Sequence, residues 1–345
     1  LDKLEESSAT TLSALYDSTH TVTVDMDEGF YSRAAYLEAE PNDSFFLSDP
    51  LYNGAETAGE VTNTEDFDWF YITVDGPCDV LFRLIPYYVV DAFTDHLFGG
   101  GPAGVVITDE PLSDRLMQNI AMENNLADTA FAVRREDGYD LRWFMPRGEI
   151  ELNGHATLAA ADCLFSDYLP PEQDRIRFHT REHGILTVSR EGDLLALDLP
   201  AVFNHPIELT EKMVQALGEV PAESYFGENL FFVFDSAEKV RNLEPDFMKM
   251  KQLPMGKGVF VSALSDEDSD IVARTFWPKM GVDEDPVCGN MHCNLTPFWC
   301  RRLGKPQIVS HQLSPRGAVV VCEDRGERAL LKGRAARFLK TELEL

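Results

Sequence analysis

We predict an α+β fold with more strand than helix from three observations on this 345-residue chain. Short apolar, β-branched runs bounded by turn residues recur, for example at 87–90, 185–188 and 194–199. An Ala-rich helical pattern at 155–165 directly follows a glycine turn. A similar glycine turn at 288–290 predicts another helix. Because 44% of the residues are hydrophobic, the chain can build a packed core.

The charge balance excludes two classes of partner. With 30 Lys+Arg against 59 Asp+Glu, the formal net charge is -29. Nucleic-acid binding needs a basic face, and docking on an anionic membrane needs basic residues as well. No run approaches the roughly 18 apolar residues of a spanning helix. We therefore expect a soluble protein that binds neither nucleic acid nor membrane.

The acidic excess is unevenly distributed and indicates a boundary near residue 86. Residues 1–86 carry 18 acidic and 3 basic residues, whereas 87–345 carry 41 and 27. The two parts thus share the excess almost equally, although the first is a quarter of the chain. We predict an acidic arm at 1–38 and a partial β-rich module at 39–86, which together form an acidic N-terminal extension.

Two local patterns resemble a cofactor or metal site without fitting one. Residues 99–104 match G-x-G-x-x-G, but Pro102 lies inside the motif and β-branched residues, not a helix, follow it. We expect a glycine turn between two strands. Cys288, Cys293 and Cys300 are spaced unlike the paired ligands of zinc sites. The expectation is reduced thiols and no bound metal.

Two glycine turns that open helices supply a candidate anion site. One contains Gly154 and His155, and the other follows Asp285 with Cys288 and Gly289. A helix N-terminus presents free N–H groups and partial positive charge, which suit a carboxylate or an oxyanion. If the two termini face each other, they form a two-sided cradle. A helix N-terminus would also lower the pKa of the Cys288 thiol.

Asp128 and His155 are candidate proton-transfer groups. Asp128 lies between a helix predicted at 112–125, with Ser113 as N-cap, and a strand that begins near Phe131. A desolvated Asp128 can serve as general acid or base, and the alternative is an exposed turn residue. His155 can contact substrate or transfer protons, and its alternative is a capping or packing histidine.

Taken in order, these segments resemble the PhzF-like family of phenazine biosynthesis, which has the diaminopimelate-epimerase fold. The resemblance covers 87–345 and rests on seven segments: 90–95, 101–105, 121–131, 141–146, 154–159, 281–293 and 312–317. It implies two pseudo-symmetric domains, at 87–198 and 199–345, with the last strand free to return to the first domain. Each is a barrel-like sheet around a central helix. The resemblance further implies a cofactor-independent, metal-free and homodimeric isomerase.

The resemblance also implies roles for individual residues. Asp128, His155 and Asp285 match the catalytic positions of the family, and the substrate-binding positions fall on Gly101, Gly154, Cys288, Gly289 and Asn290. Several positions depart from the family: the expected glutamate is Asp128, and Gly101, Met145, Asn153, Cys288 and Asn290 replace asparagine, threonine, cysteine, threonine and serine. The Asp128 carboxylate falls short of a glutamate by ~1.5 Å, and a ~1 Å misplacement costs about 10²-fold in rate.

We expect a cytoplasmic isomerase that transfers a proton on a small carboxylate-bearing substrate, with an activity that these substitutions weaken or retarget. The alternative is a catalytically inactive small-molecule-binding or structural homologue. A two-thiol racemase is excluded because Asn153 replaces one of the cysteines, while a one-thiol variant that uses Cys288 stays open. A third hypothesis is an artificial fusion, in which a truncated β-rich module is joined to the complete isomerase-like part at 87–345.

Residues 40–85 weakly resemble a bacterial pre-peptidase C-terminal β-sandwich domain. If that match holds, the protein is extracellular, and Asp66 and Asp68 become candidate calcium ligands.

Overall fold

The computed structural model describes residues 22–24, 78–80 and 84–344. The chain divides into two compact units, one of residues 1–85 and 342–345 and the other of residues 86–341. In the first unit, β1 (Val22–Val24) pairs antiparallel with β2 (Cys78–Val80). Most of the predicted arm and β-rich module, with Asp66 and Asp68, lies outside the described residues.

The part of the chain from β3 to β10 surrounds a buried helix. Its elements are β3 (Leu84–Ala92), β4 (Gly101–Thr108), α1 (Asp114–Asn124), β5 (Asp128–Arg135), β6 (Gly138–Met145), β7 (Gly148–Ile150), α2 (Gly154–Asp167), β8 (Arg175–His179), β9 (Ile185–Glu191) and β10 (Leu194–Pro200). Strand pairs β4–β5 and β6–β8 are parallel, and pairs β3–β4, β5–β6, β6–β7, β8–β9 and β9–β10 are antiparallel.

The second half of the chain repeats this plan. Its elements are β11 (His205–Pro206), α3 (Glu211–Leu217), β12 (Glu223–Phe226), β13 (Leu230–Val233), α4 (Ala237–Arg241), α5 (Phe247–Met250), β14 (Val259–Leu264), β15 (Ile271–Phe276), a 3₁₀ helix (Pro278–Met280), α6 (Gly289–Leu303), β16 (Gln307–Gln312), β17 (Ala318–Asp324), β18 (Arg328–Gly333) and β19 (Ala335–Glu344).

The order of strand pairings reveals the repeat. From β12 to β18 the pairs run antiparallel, parallel, antiparallel, parallel, antiparallel and antiparallel, as they do from β3 to β10 when β7 is set aside. The last strands of the two series, β10 and β18, pair antiparallel and join the halves into one sheet. These findings agree with the α+β prediction, while the boundary at residues 198 and 199 stays a prediction.

Helices α2 and α6 occupy the interior. All residues of α2 from Gly154 to Ala161 are buried, and the helix packs against β4, β5 and β10. Its alanines let the strands approach closely, which a dense core requires. Helix α6 packs in the same way against β16, β17 and β18. The sheet therefore encloses both helices and holds their N-termini in fixed positions.

The local predictions are confirmed in one place and corrected in another. Ser113 caps α1, and its Oγ accepts a hydrogen bond from the Leu116 N–H at 3.2 Å. The predicted glycine turn at 99–104 is too long, because β4 already begins at Gly101, which pairs with Ala92. The turn ends at Gly100, where φ is +53°.

None of the helices in the described ranges has the length and apolar character needed to cross a membrane.

Candidate active site

Asp128 is buried at the start of a strand and is not an exposed turn residue. It is the first residue of β5, lies beside Ala103 of β4, and is 7% exposed. On the other side of β5, the next residue, Thr129, pairs with Phe144 of β6. The neighbouring strands therefore hold the carboxylate against the protein interior.

His155 faces Asp128 from the first turn of α2. Its side chain is almost wholly enclosed, and Nε2 lies 3.2 Å from Asp128 Oδ2. Nε2 is buried and makes no hydrogen bond of good geometry with a described residue. We therefore describe the contact as an ion pair. The proton that Nε2 carries in the charged ring therefore faces the Asp128 carboxylate.

The electrostatic surroundings favour a charged His155. Burial alone would lower the pKa of the imidazole, but the Asp128 and Asp285 carboxylates oppose that effect. The net result is a pKa raised above the usual value for histidine. An imidazolium whose Nε2 makes no hydrogen bond within the described part of the chain is well suited to donate one to a substrate anion.

The first residues of α2 and α6 meet in the middle of the molecule. A Cβ built on Gly154 would lie 3.1 Å from the Gly289 Cα, and the converse distance is also 3.1 Å. The caps Asn153 Oδ1 and Cys288 Sγ accept hydrogen bonds from the N–H groups of Ala156 and Met291, at 2.8 and 3.3 Å. The N–H groups that precede these two in the helices have no acceptor there, because no helical carbonyl lies before the first turn. They are the N–H groups of Gly154, His155, Gly289 and Asn290. Two helix N-termini thus converge on one place.

Asp285 lies in the loop that leads into α6. Its N–H donates to the Thr275 carbonyl at 3.0 Å, and its Oδ1 accepts from the Val287 N–H at 3.2 Å. Burial raises the pKa of this carboxyl to about 6, against the opposing effect of His155. The carboxylates of Asp128 and Asp285 both raise the pKa of His155, and His155 in turn opposes the rise in the pKa of Asp285.

Gln312 fixes the loop that leads from Asp285 into α6, a role that the sequence did not reveal. This fully buried residue ends β16. Its Nε2 donates to the Asp285 carbonyl at 2.7 Å, and its Oε1 accepts from the Cys288 N–H at 3.0 Å. The signal available in the sequence was an amide residue at an inward-facing position of a strand, which must find partners when buried.

The predicted lowering of the Cys288 pKa is wrong. Burial raises the pKa of the thiol well above its usual value, and the nearby Asp285 carboxylate raises it further. A helix N-terminus stabilises a thiolate only where the desolvation cost is smaller than that gain. Cys288 is a neutral thiol that caps α6, and this argues against a one-thiol mechanism.

The remaining predicted residues, Asn290 and Gly101, border the same region. Asn290 Oδ1 accepts a hydrogen bond from Asn229 Nδ2 at 3.3 Å. A Cβ on Gly101 would lie 2.5 Å from Val287 Cγ1 and 3.0 Å from the His155 ring. The glycine therefore lets β4 approach both His155 and the Asp285 loop.

Comparisons with known proteins agree with this architecture. The profile of the family described as "Phenazine biosynthesis-like protein" matches residues 90–340. An uncharacterized isomerase of Pseudomonas aeruginosa is 43% identical and covers 75% of this chain and 98% of its own length.

Solved structures extend the comparison. The crystal structure of a PhzF-family protein from Enterococcus faecalis is 42% identical, with a TM-score of 0.74 over 76% of this chain and all of the other. A predicted epimerase of Pseudomonas aeruginosa, 18% identical with a TM-score of 0.58 over 75% of this chain and 99% of its own, shares the fold. This chain belongs to the phenazine biosynthesis-like, or PhzF, family, in which several curated relatives are named isomerases.

Proposed function

We propose that this protein is a cofactor-independent isomerase that moves a proton between two positions of a small carboxylate-bearing substrate. The observation that carries this proposal is the enclosed contact of 3.2 Å between His155 Nε2 and Asp128 Oδ2. The contact lies at the first turn of α2, where α2 meets α6. An acid, a base and an anion site in one place are the parts that a proton-shifting isomerase needs.

The substrate carboxylate binds where the two helices meet. The N–H groups of Gly154 and Gly289 supply hydrogen-bond donors, and both helix dipoles add positive potential. These donors also stabilise the negative charge that spreads onto the carboxylate during the reaction. They therefore lower the barrier for removing a proton from the adjacent carbon. Asp285 and Gln312 keep the α6 terminus in register with the α2 terminus.

Asp128 carries the proton. Its ionised carboxylate removes a proton from substrate carbon, and the electron pair of the broken C–H bond shifts into the conjugated substrate. The same carboxyl group then returns the proton to a different atom, so the net change is an isomerisation. His155, whose pKa the surrounding carboxylates raise, balances the charge on Asp128 and orients the substrate.

A second candidate function is binding without turnover. It is favoured by the short side chain of Asp128, which already contacts His155 and is 7% exposed. In that case the helix termini would still hold a carboxylate, but the carboxyl group of Asp128 would not reach the substrate carbon.

Proton exchange with solvent distinguishes the two functions. The protein is incubated in D₂O with a panel of small cyclic acids and amino acids, and deuterium incorporation is followed by mass spectrometry. We expect incorporation with at least one acid and none with the Asp128→Asn variant. Saturable binding of an acid without incorporation would instead support the binding protein.

A further inference from the structure

The turn between β16 and β17 contacts the loop that leads into α6. Ser314 Oγ donates to the Pro286 carbonyl at 2.8 Å. The same Oγ accepts a hydrogen bond from the Gly317 N–H at 3.1 Å, so it also closes the turn itself. Ser314 therefore fixes the backbone immediately before Val287.

Arg316, in the same turn, contacts the first half of the fold. Its Nε donates to the Gly100 carbonyl at 2.8 Å, and its Nη2 donates to the Gly99 carbonyl at 2.9 Å. The Gly100 N–H donates in return to the Gly317 carbonyl at 2.7 Å. These three bonds tie the turn to the backbone just before Gly101, where β4 begins.

A buried carboxylate completes this attachment. Asp91 is 2% exposed, and its Oδ1 accepts a hydrogen bond from Arg316 Nη2 at 2.6 Å. Its Oδ2 accepts from the Phe98 N–H at 2.7 Å, and Phe98 has a φ of +69°. A non-glycine residue keeps such a backbone only where its surroundings over-determine it. Because a buried carboxylate must be paired, Asp91 and Arg316 hold each other in one arrangement.

The two segments that this turn holds meet at His155. Gly101 follows the backbone that Arg316 binds, and a Cβ there would lie 2.5 Å from Val287 Cγ1 and 3.0 Å from His155 Cγ. A backbone hydrogen bond with Val287 is among the interactions that raise the pKa of His155. Gly101 and Val287 therefore lie against the imidazole from the two halves of the fold.

We propose that Arg316 is a positioning residue for His155, and that the 314–317 turn keeps Gly101 and Val287 packed against the imidazole. This rests on the proposed function in one respect, since the imidazole so held is the one that lies 3.2 Å from Asp128 Oδ2. Arg316 acts through backbone contacts and takes no part in proton transfer. Without its guanidinium, the backbone before Gly101 separates from the turn, and water reaches the imidazole.

The titration of His155, followed by NMR of protein that contains ¹³C-labelled histidine, tests this without requiring turnover. In Arg316→Ala, the water that enters weakens the effect of both neighbouring carboxylates, so the raised pKa of His155 should fall toward the ordinary value of 6.5. Arg316→Lys, which keeps a positive charge beside Asp91, should restore part of the shift. His292 is the internal control: burial lowers its pKa to about 4, and its titration should not change.

Ser314→Ala keeps the test decisive if Arg316→Ala does not fold. It removes only the bond to the Pro286 carbonyl and the acceptor for Gly317, so it should shift the pKa of His155 in the same direction by a smaller amount. Where deuterium incorporation is measurable, Arg316→Ala should slow it about tenfold or more, because the imidazole is misplaced.

Arg328→Ala is the matched control, since it breaks another arginine–aspartate pair between the two halves, with Nε 2.8 Å from Asp198 Oδ1. It should leave the titration of His155 unchanged. An unchanged pKa of His155 in both Arg316→Ala and Ser314→Ala would overturn the inference, and so would an equal effect of Arg328→Ala. Absence of deuterium incorporation from the wild-type protein would overturn the proposed isomerase and leave an Arg316-dependent titration of His155 standing.

Discussion

Gly154 and Gly289 approach each other so closely that a Cβ on either would lie 3.1 Å from the Cα of the other. Each glycine begins one of the two buried helices. The repeated order of strand pairings places the two helices at equivalent positions, and the two glycines lie where the two halves of the fold converge. This contact brings two sets of helix N–H groups to one place, where the proposed function puts the substrate carboxylate.

Gly289→Ala should damage both stability and ligand binding. The added methyl group meets backbone, which cannot move as a side chain could, so we expect a loss of about 1–3 kcal/mol in the free energy of unfolding. Urea unfolding and calorimetric binding of small acids measure the two effects. Gly192→Ala is the control: a Cβ there meets nothing within 4 Å, although φ is +65°. It should cost stability through backbone strain alone and leave binding unchanged.

Gln312→Ala should loosen the loop that carries Asp285. The buried Cys288 N–H loses its acceptor and the Asp285 carbonyl loses its donor, and each unsatisfied group costs about 1–3 kcal/mol. Gln307→Ala, at the exposed start of the same strand, should stay within about 0.5 kcal/mol of the wild-type protein. Urea unfolding of both variants is the measurement, and equal effects would contradict the role assigned to Gln312.

Cys288 should behave as an unreactive thiol. Because burial raises its pKa, the thiolate fraction at neutral pH is negligible, and iodoacetamide should label Cys288 only after unfolding. Peptide mapping after timed labelling gives the rate at this site. Cys288→Ser, which retains a capping side chain, should keep any deuterium exchange that the wild-type protein shows. Rapid labelling of the folded protein would revive the one-thiol mechanism.

The titration of Asp285 should make the wild-type protein relatively less stable as pH rises. Its folded-state pKa of about 6 exceeds the ordinary aspartate value of 3.8, so the folded protein binds the proton more tightly than the unfolded chain. The stabilisation from this group is complete below about pH 4 and is lost as pH rises through about 6. The folded-state pKa of His155 is also raised. Its contribution to stability is therefore complete below the pKa of histidine in the unfolded chain and declines as pH rises above it.

The comparison with Asp285→Asn isolates this effect. Between about pH 4 and 6, the wild-type free energy of unfolding should fall relative to that of the variant, because only the wild-type protein releases the Asp285 proton. Urea unfolding of both proteins at matched pH values measures this difference. A difference that is constant across the interval would show that Asp285 has an ordinary pKa when folded.

The sequence predicted those features that depend on local pattern. Ser113 could be recognised as a cap because a hydroxyl residue preceded a helical run, and the two glycine turns marked where the buried helices begin. That the two termini would meet was a hypothesis, since the distance between Gly154 and Gly289 depends on how residues 135 positions apart pack.

What the sequence could not predict depends on the surroundings of each side chain. The burial of Asp128 results from its two neighbouring strands, and the high pKa of Cys288 results from enclosure that outweighs the helix terminus. The hydrogen bonds of Gln312 with Asp285 and Cys288 join segments that are 24 or more residues apart in the chain. Such contacts have no local signature, because each partner is unremarkable in its own segment.

Solvent-deuterium incorporation by the wild-type, Asp128→Asn and Asp128→Glu proteins tests the central claim most directly. The exposed Asp109→Asn variant serves as the control for loss of a carboxylate. We predict that Asp128→Asn abolishes incorporation, that Asp128→Glu raises it because the longer side chain reaches substrate carbon, and that Asp109→Asn changes nothing. Undiminished incorporation by Asp128→Asn, or its absence from both the wild-type and Asp128→Glu proteins, would contradict the assignment of Asp128 as the proton-transfer group.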